Sequence, residues 1–197
     1  MQRLIKTFVA CLIAVLTKPA AADPHQWTRG EFITAEVQRV LDGDTIEVNH
    51  SGARVHIRLY GIDAPENDQS CLDGQGAAFE CGRAATRHLA ELIGGRERPC
   101  PYANMHGICL TGSVLTECEI RDVDTRHRPH RPVGLCRVGP IDLSARMVSE
   151  GWAYPYESFS RDYVALGAVA RLTGRGFWAG RFDDPAQFRR KRAAPNR

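Results

Sequence analysis

The sequence predicts an α+β domain that is mainly β: a small β-barrel with helices packed against it. Three observations predict it: an early series of strand patterns, one helical pattern after them, and a second strand pair followed by two short helical patterns. Strands and helices in this order suit a barrel that carries its helices on the outside. The chain has 197 residues, which is long enough to bury a core of this kind.

The first strand patterns follow one another in residues 35–41, 45–49 and 55–59. In the third, every second residue is apolar, which is the period of a strand and places Arg58 opposite the apolar face. Turn-forming residues separate the strands at 42–44 and 50–52. We therefore expect a β-meander whose ends carry polar residues.

A helix is expected next, over residues 75–93, and it should end at Gly94-Gly95. Residues 99–117 show no clear period and are rich in turn formers. They are expected to form an inserted loop.

The second half of the chain repeats strands and then helices. Residues 118–123 and 132–138 have the composition of a second strand pair. Asp142 is expected to cap a short helix, and a last helix is expected to begin at Ser158 or Ser160 and to end near residue 173.

The first 22 residues have the layout of a secretory signal peptide. Two basic residues, an apolar run at 8–16 and small residues at 20–22 follow in that order. We expect cleavage after Ala22, with an uncleaved anchor as the alternative, although the apolar run is shorter than the roughly 18 residues of a membrane span. The remainder divides into an N-terminal extension (23–34), the barrel domain (35–181) and a basic C-terminal tail (182–197).

Charge is unevenly distributed once the expected signal peptide is removed. Three of the 26 Lys and Arg residues precede the cleavage point, which leaves 23, equal to the number of Asp and Glu. From Arg171 onward, however, eight bases face two acids. This basic end is interpreted either as a guide for a polyanionic substrate or as a solvated, frayed terminus.

Six cysteines follow the expected cleavage point, and an even number in an exported chain predicts disulfides. Six cysteines allow many pairings, and pairing neighbours in sequence is the simplest hypothesis: Cys71–Cys81, Cys100–Cys109 and Cys118–Cys136. Zinc binding is the competing interpretation, but no C-x-x-C pair is present. We expect a secreted or periplasmic protein.

Four carboxylates and an arginine are concentrated in two short segments. They are Asp42, Asp44, Arg58, Asp63 and Glu66. Carboxylates this close together repel one another, and calcium is a cation that binds such clusters of oxygen ligands. The planar donors of an arginine match phosphate oxygens. The pattern therefore predicts metal-assisted chemistry on a phosphodiester.

Three segments together resemble the thermonuclease (staphylococcal or micrococcal nuclease-like) family. They read Val40-Leu41-Asp42-Gly43-Asp44-Thr45, then Arg58-Leu59-Tyr60-Gly61-Ile62-Asp63-Ala64-Pro65-Glu66, and then Arg131-Pro132-Val133-Gly134-Leu135-Cys136. Residues 150–154 and 176–180 are similar to the family's closing segments, so the resemblance covers about residues 36–181. It implies an OB-type five-stranded barrel with about three packed helices, and calcium-dependent cleavage of DNA and RNA that leaves 3′-phosphate ends.

The resemblance also implies a role for each matched residue. Asp44 and Asp63 would ligate Ca²⁺ through their carboxylates and Ala64 through its backbone carbonyl, while Asp42 would lie beside the metal and orient a bound water.

On the catalytic side, Glu66 would be the general base that takes a proton from the attacking water. Arg58 and Arg131 would clamp the phosphate, since charge develops on its oxygens during in-line attack.

The chain departs from the family pattern in two places. Ala64 replaces a threonine, and His127-Arg128-Pro129-His130-Arg131 replaces the usual Asp-x-Tyr-Gly-Arg. Arg126 or Arg128 could therefore share or replace the role of Arg131. His127 and His130 are interpreted as solvated loop histidines rather than as metal ligands.

Two other functions remain open at this point. One is a non-catalytic nucleic-acid-binding OB module, and the other is a calcium-stabilised structural protein of the cell envelope. We expect a monomer whose partner is nucleic acid, with no stable membrane partner. Trp152, Phe177 and Trp178 are expected in the core, and Tyr154 and Tyr156 are the better candidates for stacking on bases.

Overall fold

A computed structural model describes residues 26–102, 105–126 and 129–194 of the chain. The expected signal peptide, residues 1–22, lies outside the described residues, as do His127 and Arg128. Within the described ranges, none of the helices has the length and apolar character needed to cross a bilayer.

The described residues contain twelve strands, four α-helices and one 3-10 helix. In chain order the strands are β1 (Phe32–Asp42), β2 (Thr45–His50), β3 (Ala53–Leu59), β4 (Ile62–Asp63), β5 (Cys71–Leu72), β6 (Ala78–Phe79), β7 (Arg96–Arg98), β8 (Ile108–Thr111), β9 (Leu115–Asp124), β10 (Arg131–Val138), β11 (Ile141–Asp142) and β12 (Tyr154–Pro155). The helices are α1 (Cys81–Ile93), α2 (Leu143–Ser149), α3 (Val164–Leu172), the 3-10 helix (Gly176–Ala179) and α4 (Pro185–Ala193).

Five strands close into a mixed barrel, which confirms the predicted fold class. β1 pairs with β2 and β2 with β3, all antiparallel. β3 then pairs with β10 in parallel, β10 pairs with β9, and β9 returns to β1. α1 lies in the chain between the third and fourth barrel strands. This is a five-stranded OB-type architecture with extra strands and helices added to it.

The barrel encloses an apolar core supplied by alternate residues of its strands. Completely buried side chains on four of its strands are Val40, Ile46, Ile57, Leu59 and Ile120. The Cys118–Cys136 disulfide joins directly opposed residues of β9 and β10 and is also buried. α1 closes the core from outside through residues such as Leu89 and Ile93.

The predicted helix over 75–93 begins later than expected, at Cys81. Residues 71–79 instead form the short β5–β6 hairpin, and the Cys71–Cys81 disulfide joins β5 to the first residue of α1. The predicted end is confirmed, because Gly94 has a left-handed backbone with φ of 82° and its N–H bonds the Ala90 carbonyl.

The prediction of an inserted loop over 99–117 is wrong in its second half. β8 lies within it and β9 begins at Leu115. β8 pairs with β1 through Arg39 opposite Cys109 and Val40 opposite Ile108. β8 has only four residues and pairs with both β1 and β7, whereas β9 begins three residues earlier than predicted. The Cys100–Cys109 disulfide is present, so all three predicted disulfides are confirmed.

The helical part of the chain also exceeds the prediction of about three helices. The last predicted helix begins at Val164 rather than at Ser158 or Ser160. The basic tail contains a fourth helix, α4, which has Pro185 as its first residue and is capped by the Asp184 carboxylate.

Helix α1 packs unusually close to the segment that carries Glu66. A Cβ added at Gly82 would lie only 1.7 Å from the backbone oxygen of Glu66. The position therefore needs glycine, because any side chain would push α1 and the Glu66 segment apart.

We expect Gly82→Ala to lower the free energy of unfolding by about 3 kcal/mol, because the added methyl group overpacks a backbone contact. Helix propensity alone would predict the opposite sign, a gain of about 1 kcal/mol. Urea unfolding monitored by circular dichroism measures the change, with the exposed neighbour Arg83→Ala as the control. A Gly82→Ala protein as stable as its parent would contradict the close packing.

Candidate active site

The turn between β1 and β2 holds Asp42 and Asp44 in fixed positions. The Asp44 N–H donates to the Asp42 carboxylate at 3.0 Å, which closes the turn. The Thr45 hydroxyl and the Ala64 N–H donate to the two oxygens of Asp44 at 2.9 and 3.0 Å. Gly43 is required between the aspartates because a Cβ there would lie 2.7 Å from that of Ala64. The turn is thus packed against the second predicted segment.

Arg58 joins the two predicted metal-ligand aspartates. One guanidinium nitrogen, Nη2, lies 3.0 Å from Asp44 Oδ2 and 2.7 Å from Asp63 Oδ1. Both carboxylates are buried, with 6% of each side chain exposed. The charge of Asp44 raises the pKa of Arg58, partly offset by burial, so the guanidinium stays protonated. The structure therefore brings Asp44, Asp63 and Arg58 together.

The electrostatics of this group fit a bound cation. Burial, and then the charge of Asp44, raise the pKa of Asp42 above its usual range, which shows that negative charge is costly here. Within the residues described, no three Asp, Glu, His or Cys side chains converge as a metal cluster. The predicted calcium ligands are two carboxylates and one backbone carbonyl, and calcium prefers oxygen ligands of this kind. The two aspartates already converge on one positively charged nitrogen of Arg58, so their position also suits a cation.

Glu66 is held at the edge of the group by its backbone. Its N–H donates to the Gln69 side chain at 3.2 Å, and the adjacent Asn67 donates to the Leu41 carbonyl at 2.6 Å. The Asn67 amide oxygen also accepts from the Thr86 hydroxyl at 2.6 Å, so α1 contributes to the position. The Glu66 side chain remains 33% exposed, unlike Asp44 and Asp63. Water can therefore reach Glu66.

Arg131 reaches the site from the start of β10 and is held there by Asp124. The two residues are opposed in the β9–β10 pair, and Arg131 Nη2 donates to Asp124 Oδ2 at 3.1 Å. Arg126 binds the same carboxylate through Nε at 3.0 Å. The side chain of Arg126 is 86% exposed and that of Arg131 only 16%. The better-fixed guanidinium is therefore Arg131.

Asp124 was not among the predicted site residues, although a signal for it was present. Asp124 and Arg131 lie at the two ends of the loop that joins the predicted strands, so an antiparallel hairpin places them opposite each other. Burial alone would raise the pKa of Asp124, but hydrogen bonds from Arg126 and Arg131 outweigh it and hold the pKa well below the usual range. Asp124 is thus a charged anchor for Arg131.

These groups share one cleft of about 510 Å³. Its lining consists of Asp42, Asp44, Arg58, Ala64, Pro65, Glu66, Asp124, Arg126, Arg131, Tyr156 and Arg189. Asp63 lies just behind, bonded to Arg58 and Arg189. Residues from the first and second halves of the barrel domain and from the tail thus line the same cleft. Ala64, which was predicted to contribute its carbonyl, contacts Asp44 through its backbone N–H.

Arg189 of α4 is the residue that sequence reasoning missed entirely. Its guanidinium donates to both oxygens of Asp63, at 3.1 and 2.8 Å, and to Glu66 Oε1 at 2.8 Å. From the sequence, the basic tail is distinguished only by its overall charge. No local pattern distinguishes Arg189 from the other basic residues beside it.

A smaller, more apolar cleft of about 240 Å³ adjoins the first. Leu59, Ile62, Val133 and Phe159 line it, and it shares Tyr156 with the larger cleft. Tyr156 stacks on Phe159 with ring centroids 6.1 Å apart, which leaves a flat apolar wall.

The remaining aromatic residues lie elsewhere. Tyr154 packs into a cluster with Phe177, Trp178 and Phe182. Of the two tyrosines proposed for stacking on bases, only Tyr156 therefore lines the clefts.

Comparison with known proteins gives several relatives across most of the chain. A micrococcal nuclease of Shigella flexneri is 35% identical over 196 residues, 94% of this chain and 92% of that protein. An uncharacterized endonuclease of Escherichia coli is 32% identical over 149 residues, 75% of this chain and 78% of the relative. The succinoglycan biosynthesis protein ExoI of Rhizobium meliloti is 31% identical over 141 residues, 71% of this chain but only 61% of that longer protein. No family model matches the chain.

We expect Asp124→Asn to lower the free energy of unfolding near pH 7 by about 2 kcal/mol, because two arginines lose a charged acceptor. The folded pKa of Asp124 lies below its unfolded value of about 3.9. Its stabilisation is therefore present above about pH 4 and is lost as the pH falls through the folded pKa.

The difference between parent and variant should thus be constant from about pH 5 to 7 and shrink below about pH 4. Urea unfolding at several pH values measures it, with Asp122→Asn, an exposed aspartate of the same strand, as the control. A difference that grows on acidification would contradict the assigned direction.

Proposed function

The chain belongs to the thermonuclease-like nuclease family, and from this premise we propose that it hydrolyses phosphodiester bonds of DNA or RNA with calcium as cofactor. We further propose that cleavage leaves 3′-phosphate ends. The observation that carries the proposal is the cleft itself, which gathers Asp44, Arg58, Glu66 and Arg131, with Asp63 directly behind.

Two arginines give the site its means of binding a phosphate. Arg58 and Arg131 line the same cleft, and each is fixed by a buried carboxylate, Asp44 or Asp124. Fixed donors are already oriented when negative charge develops on the phosphate oxygens, so they lower the barrier without first reorganising. Arginine keeps its proton at any working pH, so these residues act as clamps.

The carboxylates can be divided by their access to water. Glu66 is a third exposed and can accept a proton from a water that attacks the phosphate, as a general base must. Asp44 and Asp63 are buried and face Arg58 instead. This difference supports Glu66 as the base and the two aspartates as ligands.

Calcium would be held by Asp44, Asp63 and the Ala64 carbonyl, with Asp42 beside it. When bound, it supplies positive charge that stabilises the phosphate oxygens and helps to orient substrate and water.

Contacts in the main cleft suit the nucleic-acid backbone, and the adjoining apolar cleft suits a base. Backbone contacts carry no sequence information, so cutting should be largely independent of sequence. Tyr156 and Phe159 offer every base a stacking surface. Three disulfides further support an exported protein, secreted or periplasmic.

We expect the purified protein to cleave single-stranded DNA with calcium and to lose this activity with a chelator.

We expect Glu66→Gln to lower kcat about 10²–10⁴-fold, because the amide cannot take the proton from water. Gel assays give the rates, mass spectrometry identifies the end groups, and Glu91→Gln, an exposed residue of α1, is the control. Equal rates for Glu66→Gln and the parent would reject the assigned base. Salt-sensitive binding without turnover would favour a non-catalytic OB module.

We expect Arg131→Ala to lower kcat/KM about 10²–10³-fold, by analogy with the loss of one preorganised donor. Arg126→Ala should cost less than about tenfold, because that side chain is mostly solvated and loosely placed. The same oligonucleotide assay measures both variants. A larger loss in Arg126→Ala would mean that the altered 127–131 loop has transferred the phosphate contact to Arg126.

A further inference from the structure

The last helix of the described chain lies over the active-site cleft. Arg189 of α4 binds Asp63 through both guanidinium ends and also binds Glu66. Its side chain is 42% exposed, so it caps the carboxylates from the solvent side. Under the proposed function, these two groups are a metal ligand and the general base. Both are therefore occupied by a side chain of the protein itself.

The segment that carries Arg189 is attached to the site by several separate contacts. Backbone hydrogen bonds of 2.8 and 3.0 Å join Leu72 of β5 to Arg181. The Gln69 amide donates to the Asp183 carbonyl at 2.7 Å, while its oxygen accepts from Glu66. One buried glutamine thus fixes the start of this segment relative to the proposed base.

The helix itself is oriented by its cap and by a second arginine. Asp184 accepts from the first free N–H groups of α4. Arg192, one helical turn beyond Arg189 on the same face, binds Asp68 at 2.7 Å. The two arginines therefore face the same row of carboxylates. We call residues 181–193 the C-terminal strap.

A guanidinium and a divalent cation compete for the same carboxylate oxygens. Neither Asp63 oxygen is free while Arg189 is bound, and one oxygen of Glu66, Oε1, also accepts from Arg189. The contact is partly solvated, so its contribution is modest and a cation can displace it. We propose that the C-terminal strap is an autoinhibitory element. Arg189 occupies Asp63, the proposed metal ligand, and Glu66, the proposed general base, until a divalent cation binds and displaces it.

The proposal rests on the proposed function for its biological meaning, but metal binding tests it independently of catalysis. If only the fraction without the Arg189 contact binds calcium, the apparent affinity is reduced by that fraction. For a partly exposed bidentate pair we expect the apparent calcium affinity to be reduced three- to tenfold, which corresponds to the free energy that such an interaction typically contributes. Removing Arg189 should restore that affinity.

Calorimetric titration with calcium tests this on the purified protein, on Arg189→Gln and on Arg190→Gln. Arg190→Gln is the matched control because it removes the same charge from the same helix, and the Arg190 side chain forms no ion pair with the residues that the structure describes. We expect Arg189→Gln to bind calcium about three- to tenfold more tightly and Arg190→Gln to bind like the parent. Thermal unfolding confirms that both variants fold.

Hydrogen exchange of residues 185–193 supplies a second readout. Calcium should accelerate exchange in the parent, because it releases the strap, whereas in Arg189→Gln exchange should be fast already. The proposal is overturned if Arg189→Gln binds calcium no more tightly than Arg190→Gln, if neither variant binds it, or if calcium leaves the exchange of α4 unchanged. Weaker binding of a substrate oligonucleotide by Arg189→Gln, without a gain in calcium affinity, would make Arg189 a substrate contact instead.

These outcomes are separable from the proposed function. If the parent protein binds calcium and releases the strap but does not cleave nucleic acid, the proposed nuclease function is rejected and the proposed autoinhibition still holds. If the activity of the parent depends on calcium and Glu66 but Arg189→Gln binds calcium no more tightly than the parent, the nuclease function holds and the autoinhibition is rejected.

Discussion

One nitrogen of Arg58 contacts the carboxylates of both Asp44, in the β1–β2 turn, and Asp63, in β4. Two buried negative charges would otherwise drive these segments apart, since burial strengthens their repulsion. The shared guanidinium offsets that repulsion and fixes the spacing of the two segments. Removing one member of such a buried group leaves uncompensated charge, which typically costs about 3–5 kcal/mol. The same contact therefore serves both stability and the geometry of the cleft.

The remainder of the site repeats this arrangement of an arginine fixed by a carboxylate. Asp124 holds Arg131, and Asp63 with Glu66 holds Arg189. The first pair leaves a guanidinium at the cleft, whereas the second occupies Asp63 and Glu66, the proposed metal ligand and general base. Charge balance in the cleft is thus achieved in two ways, one that prepares the site and one that closes it. Under the proposed autoinhibition, a cation that binds at this site displaces Arg189 and shifts the balance between the two.

Much of the fold was predictable because its information is local. The turn at 42–44, the alternation that ends in Arg58, the glycine end of α1 and the Asp142 cap all depend on neighbours in sequence. The five barrel strands and the three disulfides followed the same way, since each cysteine pairs with the next along the chain. One error involves distant pairing, because β8 pairs with β1 as well as with nearby β7. Another is local, because the β5–β6 hairpin extends into the start of the predicted helix.

By itself, the sequence predicted the barrel and most of the candidate site residues, though not Asp124 or Arg189, because strand period, turn chemistry and motif spacing are properties of short segments. Only the tertiary structure decided how these groups are paired. Asp124 anchors Arg131 across a hairpin, and Arg189 reaches Asp63 from 126 residues away. A contact over that separation depends on how the whole chain packs, since no local pattern marks one arginine among its basic neighbours.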